Sequence, residues 1–128
     1  MYKVMLVDDE KLILQGVLNI VDWDKLGLKI THMAQNGKEA LEKYDEEPVD
    51  IIITDINMPV INGLELIKRI KEKNKKVKFI VLSGYDDFSY AKTAMKYGIE
   101  NYILKPINEE ELEEALIDIN KKIAANKE

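Results

Sequence analysis

A doubly wound α/β fold is predicted, (βα)5 and flavodoxin-like, with parallel strands in the order 2-1-3-4-5. Three observations carry it. Short apolar runs alternate with helix-like segments along the whole chain, the clearest being Val4–Val7, Ile51–Thr54, Phe79–Leu82 and Tyr102–Leu104. Each of these runs is followed at once by a polar or charged residue: Asp8 and Asp9, Asp55, Ser83 and Lys105. No repeat or low-complexity linker interrupts the alternation. In an open parallel sheet every strand ends at the same edge, and sites form in the crevice there. Residues scattered over the chain would therefore converge on one pocket.

The first strand covers about Lys3–Val7. A helix follows over about Lys11–Val21, with Leu12, Ile13, Val17, Leu18 and Val21 as one apolar stripe. The second strand spans about Lys29–Ala34. Gly37 opens the second helix, which ends near Glu46, ahead of Pro48. The third strand, Asp50–Thr54, is apolar through its middle, as a central buried strand should be. After the loop Asn57-Met58-Pro59, a third helix runs over about Gly63–Lys73 and a fourth strand over Val77–Leu82. The fourth helix, about Phe88–Tyr97, stops at Gly98, a suitable residue just past a helix end. The fifth strand is Asn101–Leu104. Asn108 is placed to cap the fifth helix, with Glu109, Glu110 and Glu111 at its positive dipole end, and the helix continues toward Asn126. Each crossover is a helix and right-handed by default. The topological switch point lies between the first and third strands, whose ends carry Asp8, Asp9 and Asp55.

A chain of 128 residues is long enough for one domain with a real core, and 46% apolar residues fit a globular protein. No apolar run approaches bilayer length, so no membrane association is expected. Met1-Tyr2-Lys3 runs straight into a strand, so no signal peptide is expected either. The absence of cysteine removes disulfides and thiolate metal sites and fits a cytoplasmic location. A net charge of −5 argues against nucleic-acid binding by this domain itself. Arg69 is the only arginine among 19 basic residues, so bidentate guanidinium chemistry has one candidate.

The residues at the strand ends suit a divalent cation and a phosphoryl group. Asp8, Asp9 and Glu10 could cap the first helix, and Asp55 alone could be a loop acid. Two acidic clusters on one edge are a different matter, because close carboxylates resist joint ionisation unless a cation compensates. Hard oxygen ligands select Mg²⁺, with Mn²⁺ as a substitute. Lys105 is either a solvated loop lysine or a second compensating charge. Pro106 after it allows a cis bond that turns the lysine over the site. Ser83 is either a turn residue beside Gly84 or a hydrogen-bond donor to a phosphoryl oxygen.

The segments VDDE (Val7–Glu10), ITDINMPVINGLELI (Ile53–Ile67), LSGYDDFSYA (Leu82–Ala91) and NYILKPIN (Asn101–Asn108) resemble the receiver domains of two-component response regulators, in order and over essentially the whole chain. The resemblance implies that Asp55 accepts a phosphoryl group from a sensor histidine kinase. It implies Mg²⁺ held by Asp9, the Asp55 carboxylate and the backbone carbonyl of Asn57, with Asp8 acting mainly through water. It implies that Ser83 and Lys105 contact the phosphoryl oxygens, that the Lys105–Pro106 bond is cis, and that Tyr102 takes the aromatic switch position of the fifth strand. Otherwise Tyr102 is a half-buried sheet residue. Asn57 and Tyr85 flank the pocket at positions that tune acyl-phosphate hydrolysis in the family. The output surface would be the fourth helix, fifth strand and fifth helix, with Tyr90, Lys92, Lys96, Tyr97, Tyr102 and Glu111 as members, and a homodimer could form there. The chain would be an autocatalytic phosphoacceptor without a turnover substrate.

VDWDKLGLKI (Val21–Ile30) and Gly84–Pro106 resemble receivers of the AraC-type subfamily. In that subfamily a helix-turn-helix DNA-binding domain follows. The expectation is one receiver domain over 1–128, either stand-alone or, the favoured reading, excised from a longer regulator whose DNA-binding output lies outside it. His32, Trp23 and Tyr44 read as structural, and Met5, Met33, Met58 and Met95 as fillers of apolar gaps.

Other readings remain at this level. A Mg²⁺-dependent phosphohydrolase with an Asp nucleophile favours a second Asp two residues on, where Asn57 stands and cannot transfer a proton. A phosphate-independent interaction module has no need for the full acid, Ser and Lys set. A flavin carrier would not place Asp8-Asp9-Glu10 where a phosphate must sit.

Overall fold

Five strands pair in parallel, in the order β2-β1-β3-β4-β5. The computed structural model describes residues 1–84 and 88–126. The elements are β1 (Tyr2–Val7), α1 (Lys11–Ile20), β2 (Leu28–Ala34), α2 (Gly37–Glu46), β3 (Ile51–Asp55), α3 (Gly63–Lys73), β4 (Lys78–Ser83), α4 (Phe88–Lys96), β5 (Asn101–Leu104) and α5 (Glu109–Asn126). In register, Val7 lies opposite Thr54, Asp55 opposite Leu82, and Ser83 opposite Leu104. That alignment carries the residues after β1, β3, β4 and β5 to one edge.

The alternation of side chains along each strand feeds two apolar layers. Met5, Val7, Ile52, Phe79 and Val81 pack with α2, α3 and α4 through Ala40, Tyr44, Leu66, Ile67, Ile70 and Ala94. Val4, Leu6, Ile51, Ile53, Ile80 and Leu82 pack with α1 and α5 through Leu14, Val17, Leu112, Ala115, Leu116 and Ile119. β3 is buried along its whole length.

Asparagines start three of the helices. Asn36, Asn62 and Asn108 each accept a hydrogen bond from the backbone N–H three residues on, at 2.8, 2.9 and 3.1 Å. α1 differs, because its N-cap Glu10 makes no side-chain capping bond.

The structure corrects three side-chain expectations. Leu12 is not on the buried stripe of α1 but 81% exposed. The stripe runs through Leu14, Val17 and Val21, spaced i, i+3, i+7, and Leu12 lies round the helix from it. Met33 and Met95 fill no gap either, at 39% and 55% exposure, one on edge strand β2 and the other on α4. Met5 and Met58 are buried as fillers should be. Trp23 is buried in the α1–β2 connection and donates its indole N–H to the Leu18 carbonyl at 2.9 Å. The His32 Nε2 lies 3.1 Å from the Glu47 carbonyl oxygen, a local structural contact.

Candidate functional site

The C-terminal edge of the sheet gathers Asp8, Asp55, Ser83 and Lys105. Asp8 follows β1, Asp55 and Ser83 end β3 and β4, and Lys105 follows β5. Asp8, Asp55 and Ser83 are all buried. The Lys105 ammonium donates to Asp8 Oδ2 at 3.0 Å and to Asp55 Oδ2 at 3.3 Å. The other oxygen of each carboxylate is held by a backbone amide: Glu10 N–H donates to Asp8 Oδ1 at 3.0 Å, and Ile56 N–H to Asp55 Oδ1 at 2.7 Å. Asp8 thus orients the start of α1 from within the pocket instead of capping it from outside.

Main-chain contacts hold these side chains in place. Lys105 N–H donates to the Ser83 carbonyl at 2.8 Å, and the Lys105–Pro106 bond is cis. Gly63 N–H donates to the Ile56 carbonyl at 2.8 Å, and a β-carbon on Gly63 would overlap the Asp55 carbonyl oxygen. Gly37 likewise has no room for a side chain beneath the Ile61 carbonyl, to which it donates at 3.0 Å. Between these anchors, Ile61 N–H donates to the Pro59 carbonyl at 2.9 Å across Val60, whose φ is +70°. A β-branched residue in that region is strained. The loop carrying Asn57 is therefore tightly specified by its neighbours.

The charges do not balance. Burial pushes the Asp8 carboxyl above its ordinary range, and the Glu10 amide and Lys105 only partly oppose it. Burial raises Asp55 too, against Lys105 and the Ile56 amide, and the charge of Asp9 adds to the rise. Burial works against the Lys105 ammonium, yet its bond to Asp8 and the charge of Asp55 outweigh that and raise its value. Burial thus raises both acids more than the shared ammonium lowers them, while the two acids together raise the ammonium.

Asp8, Asp9 and Glu10 have carboxylate oxygens that lie within 4.8 Å of one another. A set of hard oxygen donors beside under-compensated carboxylates fits a divalent cation such as Mg²⁺. Asp55 is joined to this set through Lys105 and does not belong to the close trio. Glu10, absent from the ligands expected from sequence, is the addition. Its place in the acidic triplet was the available signal. Ser83 Oγ donates to the Gly84 carbonyl at 3.0 Å. Tyr102 is half-buried and packs against the α3 and α4 layer, and Asn57 is exposed. Tyr85 lies outside the described residues. A cleft of about 400 Å³ at the opposite sheet edge, lined by Asp50, Asn74, Lys76 and Lys78, has no paired carboxylates.

The family profile of the response regulator receiver domain matches residues 4–117. The chain belongs to this family. Receiver domains are signalling switches, not turnover enzymes. Over 119 residues this one is 49% identical to the uncharacterized transcriptional regulatory protein YesN of Bacillus subtilis, covering 93% of this chain and 32% of YesN. It is 36% identical to the transcriptional regulatory protein HptR of Staphylococcus aureus, covering 88% of this chain and 44% of HptR. The receiver thus spans less than half the length of these relatives. Among solved structures, the receiver domain of AraT, a response regulator from Geobacillus stearothermophilus, superposes with a TM-score of 0.94 at 34% identity, covering 99% of this chain and 98% of that one. A two-component transcriptional regulator AraC from Clostridium phytofermentans gives 0.91 at 30%, covering 99% and 98%. These names agree with the AraC-type features of Val21–Ile30 and Gly84–Pro106. Among the described residues, no helix is long and apolar enough to cross a membrane.

Proposed function

We propose that this receiver is a phosphorylation-controlled switch in which Asp55 accepts a phosphoryl group from a sensor histidine kinase. The observation that supports it most is the Lys105 ammonium shared between the buried carboxylates of Asp8 and Asp55. In the transfer, the Asp55 carboxylate oxygen forms a bond to phosphorus as the N–P bond of the phosphohistidine breaks. The Ile56 amide orients the nucleophilic carboxylate. Lys105 moves its hydrogen bonds from carboxylate to phosphoryl oxygens, and the Ser83 hydroxyl leaves the Gly84 carbonyl to donate to another. Asp8, Asp9, Asp55 and the Asn57 carbonyl would hold Mg²⁺, with Glu10 beside them. Bound there, Mg²⁺ supplies positive charge to the transferring phosphoryl oxygens.

The phosphorylated form shifts the population of conformers through these Ser83 and Lys105 contacts, with Tyr102 reporting the change on β5. The output face is α4–β5–α5. Met95 on α4 and Leu104 at the end of β5 are exposed apolar residues of these elements, which suits a homodimer contact. Asn57 and Tyr85 set the acyl-phosphate lifetime. The chain acts in the cytoplasm as the receiver part of a longer transcriptional regulator, and DNA is bound by an output domain outside residues 1–128.

Intact mass after incubation with acetyl phosphate tests this, with and without Mg²⁺ and with Asp55→Asn in parallel. One labile phosphoryl adduct that requires both Mg²⁺ and Asp55 is expected. No adduct under any condition would overturn the reading in favour of a phosphate-independent module.

A further inference from the structure

We propose that Lys71 is a site of acylation by small acyl phosphates, on the opposite side of the chemistry from Asp55. A groove of about 400 Å³ is lined by Lys68, Lys71, Glu72, Lys75 and Tyr97. Lys68 and Lys71 lie three apart on α3, so they share a face, and Lys75 lies just past the helix end, in the turn after Asn74. Lys68 and Lys75 are exposed, whereas Lys71 is half-buried. The Lys71 amine is held over the Phe79 ring, 5.8 Å from its centroid, and donates to the Lys75 carbonyl at 3.3 Å.

The ring and the carbonyl favour the charged amine, so it is the partial burial of Lys71 in the groove that sets it apart from its neighbours. Burial, and after it the charge of Lys78, holds the Lys71 ammonium below the ordinary lysine value, with Glu100 opposing. A lowered value enlarges the neutral fraction, which is the nucleophilic form. The ammoniums of Lys68 and Lys75 attract the phosphate end of the reagent and bring its acyl carbon to the groove, and Glu72 tempers that field. The Lys71 nitrogen forms a bond to the acyl carbon while the acyl C–O bond to phosphate breaks. Inorganic phosphate leaves, and the proton lost from nitrogen passes to water. At Asp55 the same reagent would be cleaved on the other side of its bridging oxygen, at phosphorus. One reagent would thus leave a labile phosphoryl group at one end of the sheet and a stable amide beside α3. The amide removes a positive charge from the neighbourhood of Lys78 and Glu100.

The test is incubation of the chain with acetyl phosphate, removal of acyl-phosphate adducts with hydroxylamine, digestion, and quantitative mass spectrometry of acetyl-lysine at each position. Lys71 should acquire label at least about threefold faster than the exposed Lys38 and Lys92. The variant carrying Lys68→Gln and Lys75→Gln should slow labelling of Lys71 and leave Lys38 unchanged. On the unaltered chain, raising salt should slow Lys71 selectively, because screening removes the attraction. Labelling of Lys71 at or below the rate of Lys38 and Lys92 overturns the proposal, as does an equal response of all three to salt.

Discussion

The Lys105 ammonium lies 3.0 Å from the Asp8 carboxylate, although 97 residues separate the two in the chain. The contact exists because β1 and β5 end at the same edge of a parallel sheet. The same ammonium reaches Asp55 at 3.3 Å, so one positive charge answers two buried negative ones. That shortfall makes the candidate site a source of instability.

Asp55→Asn should therefore stabilise the cation-free domain at neutral pH, by about 1 kcal/mol, or about 3–5 °C in Tm. The folded chain holds the Asp55 proton more tightly than the unfolded chain, where the carboxyl has its ordinary value of 3.8. The burden of ionisation is complete above the raised folded value and disappears as pH falls toward 3.8. The gain should shrink as the medium is acidified, and Mg²⁺ should narrow it by binding the parent more tightly. Thermal melts across pH check this. A variant no more stable than its parent at neutral pH would refute the account.

Lys105→Met should act in the opposite direction. It leaves both carboxylates without their shared donor and is expected to lower stability by about 1–3 kcal/mol at neutral pH. The loss should lessen in acid, where the carboxylates take up protons. Urea denaturation at two pH values measures it, and a loss independent of pH would point to packing of the lysine stem instead.

Gly63→Ala and Gly37→Ala should each destabilise the domain by about 1–3 kcal/mol. The new β-carbons would overlap the Asp55 and Ile61 carbonyl oxygens, and main chain cannot step aside as a flexible side chain can. Gly16→Ala serves as the control, since nothing lies within 4 Å of its β-position. That change should be neutral or slightly stabilising. Equal effects at all three glycines would remove the steric argument.

Val60→Asn should raise stability by up to about 1 kcal/mol, because Asn tolerates positive φ better than a β-branched residue. Val60 is 75% exposed, so little apolar burial is lost. Chemical denaturation decides it, and a destabilised variant would mean that the exposed methyl groups make a contact worth more than the strain.

The strand-and-helix alternation made the fold legible, and element ends agree with expectation to within a residue or two. Local capping was legible at Asn108, where a short polar side chain precedes three glutamates. The convergence of Asp8, Asp55, Ser83 and Lys105 followed from topology alone, since each stands at the end of a strand. What could not be read was rotation and long-range shape. Leu12 and Leu14 are both apolar residues at the start of one helix, and only packing against the sheet decides that Leu14 is inside. Met33 and Met95 have the composition of core residues and the position of surface ones. The turn at Val60 was hidden for a different reason: valine ordinarily argues against positive φ, and the constraint comes from Gly37 and Gly63, far from it or after it in the chain.

β3 gives Ile52 to one layer and Ile51 and Ile53 to the other, with neighbouring strands bonded on both sides. A beam clamped from four directions cannot tilt or slide without opening both cores at once. Asp55, its last residue, is for that reason a fixed post. Lys105 and Asn57 are carried on connections beyond strand ends. Whatever rearranges in this pocket must come to Asp55, which is the fulcrum and not the lever.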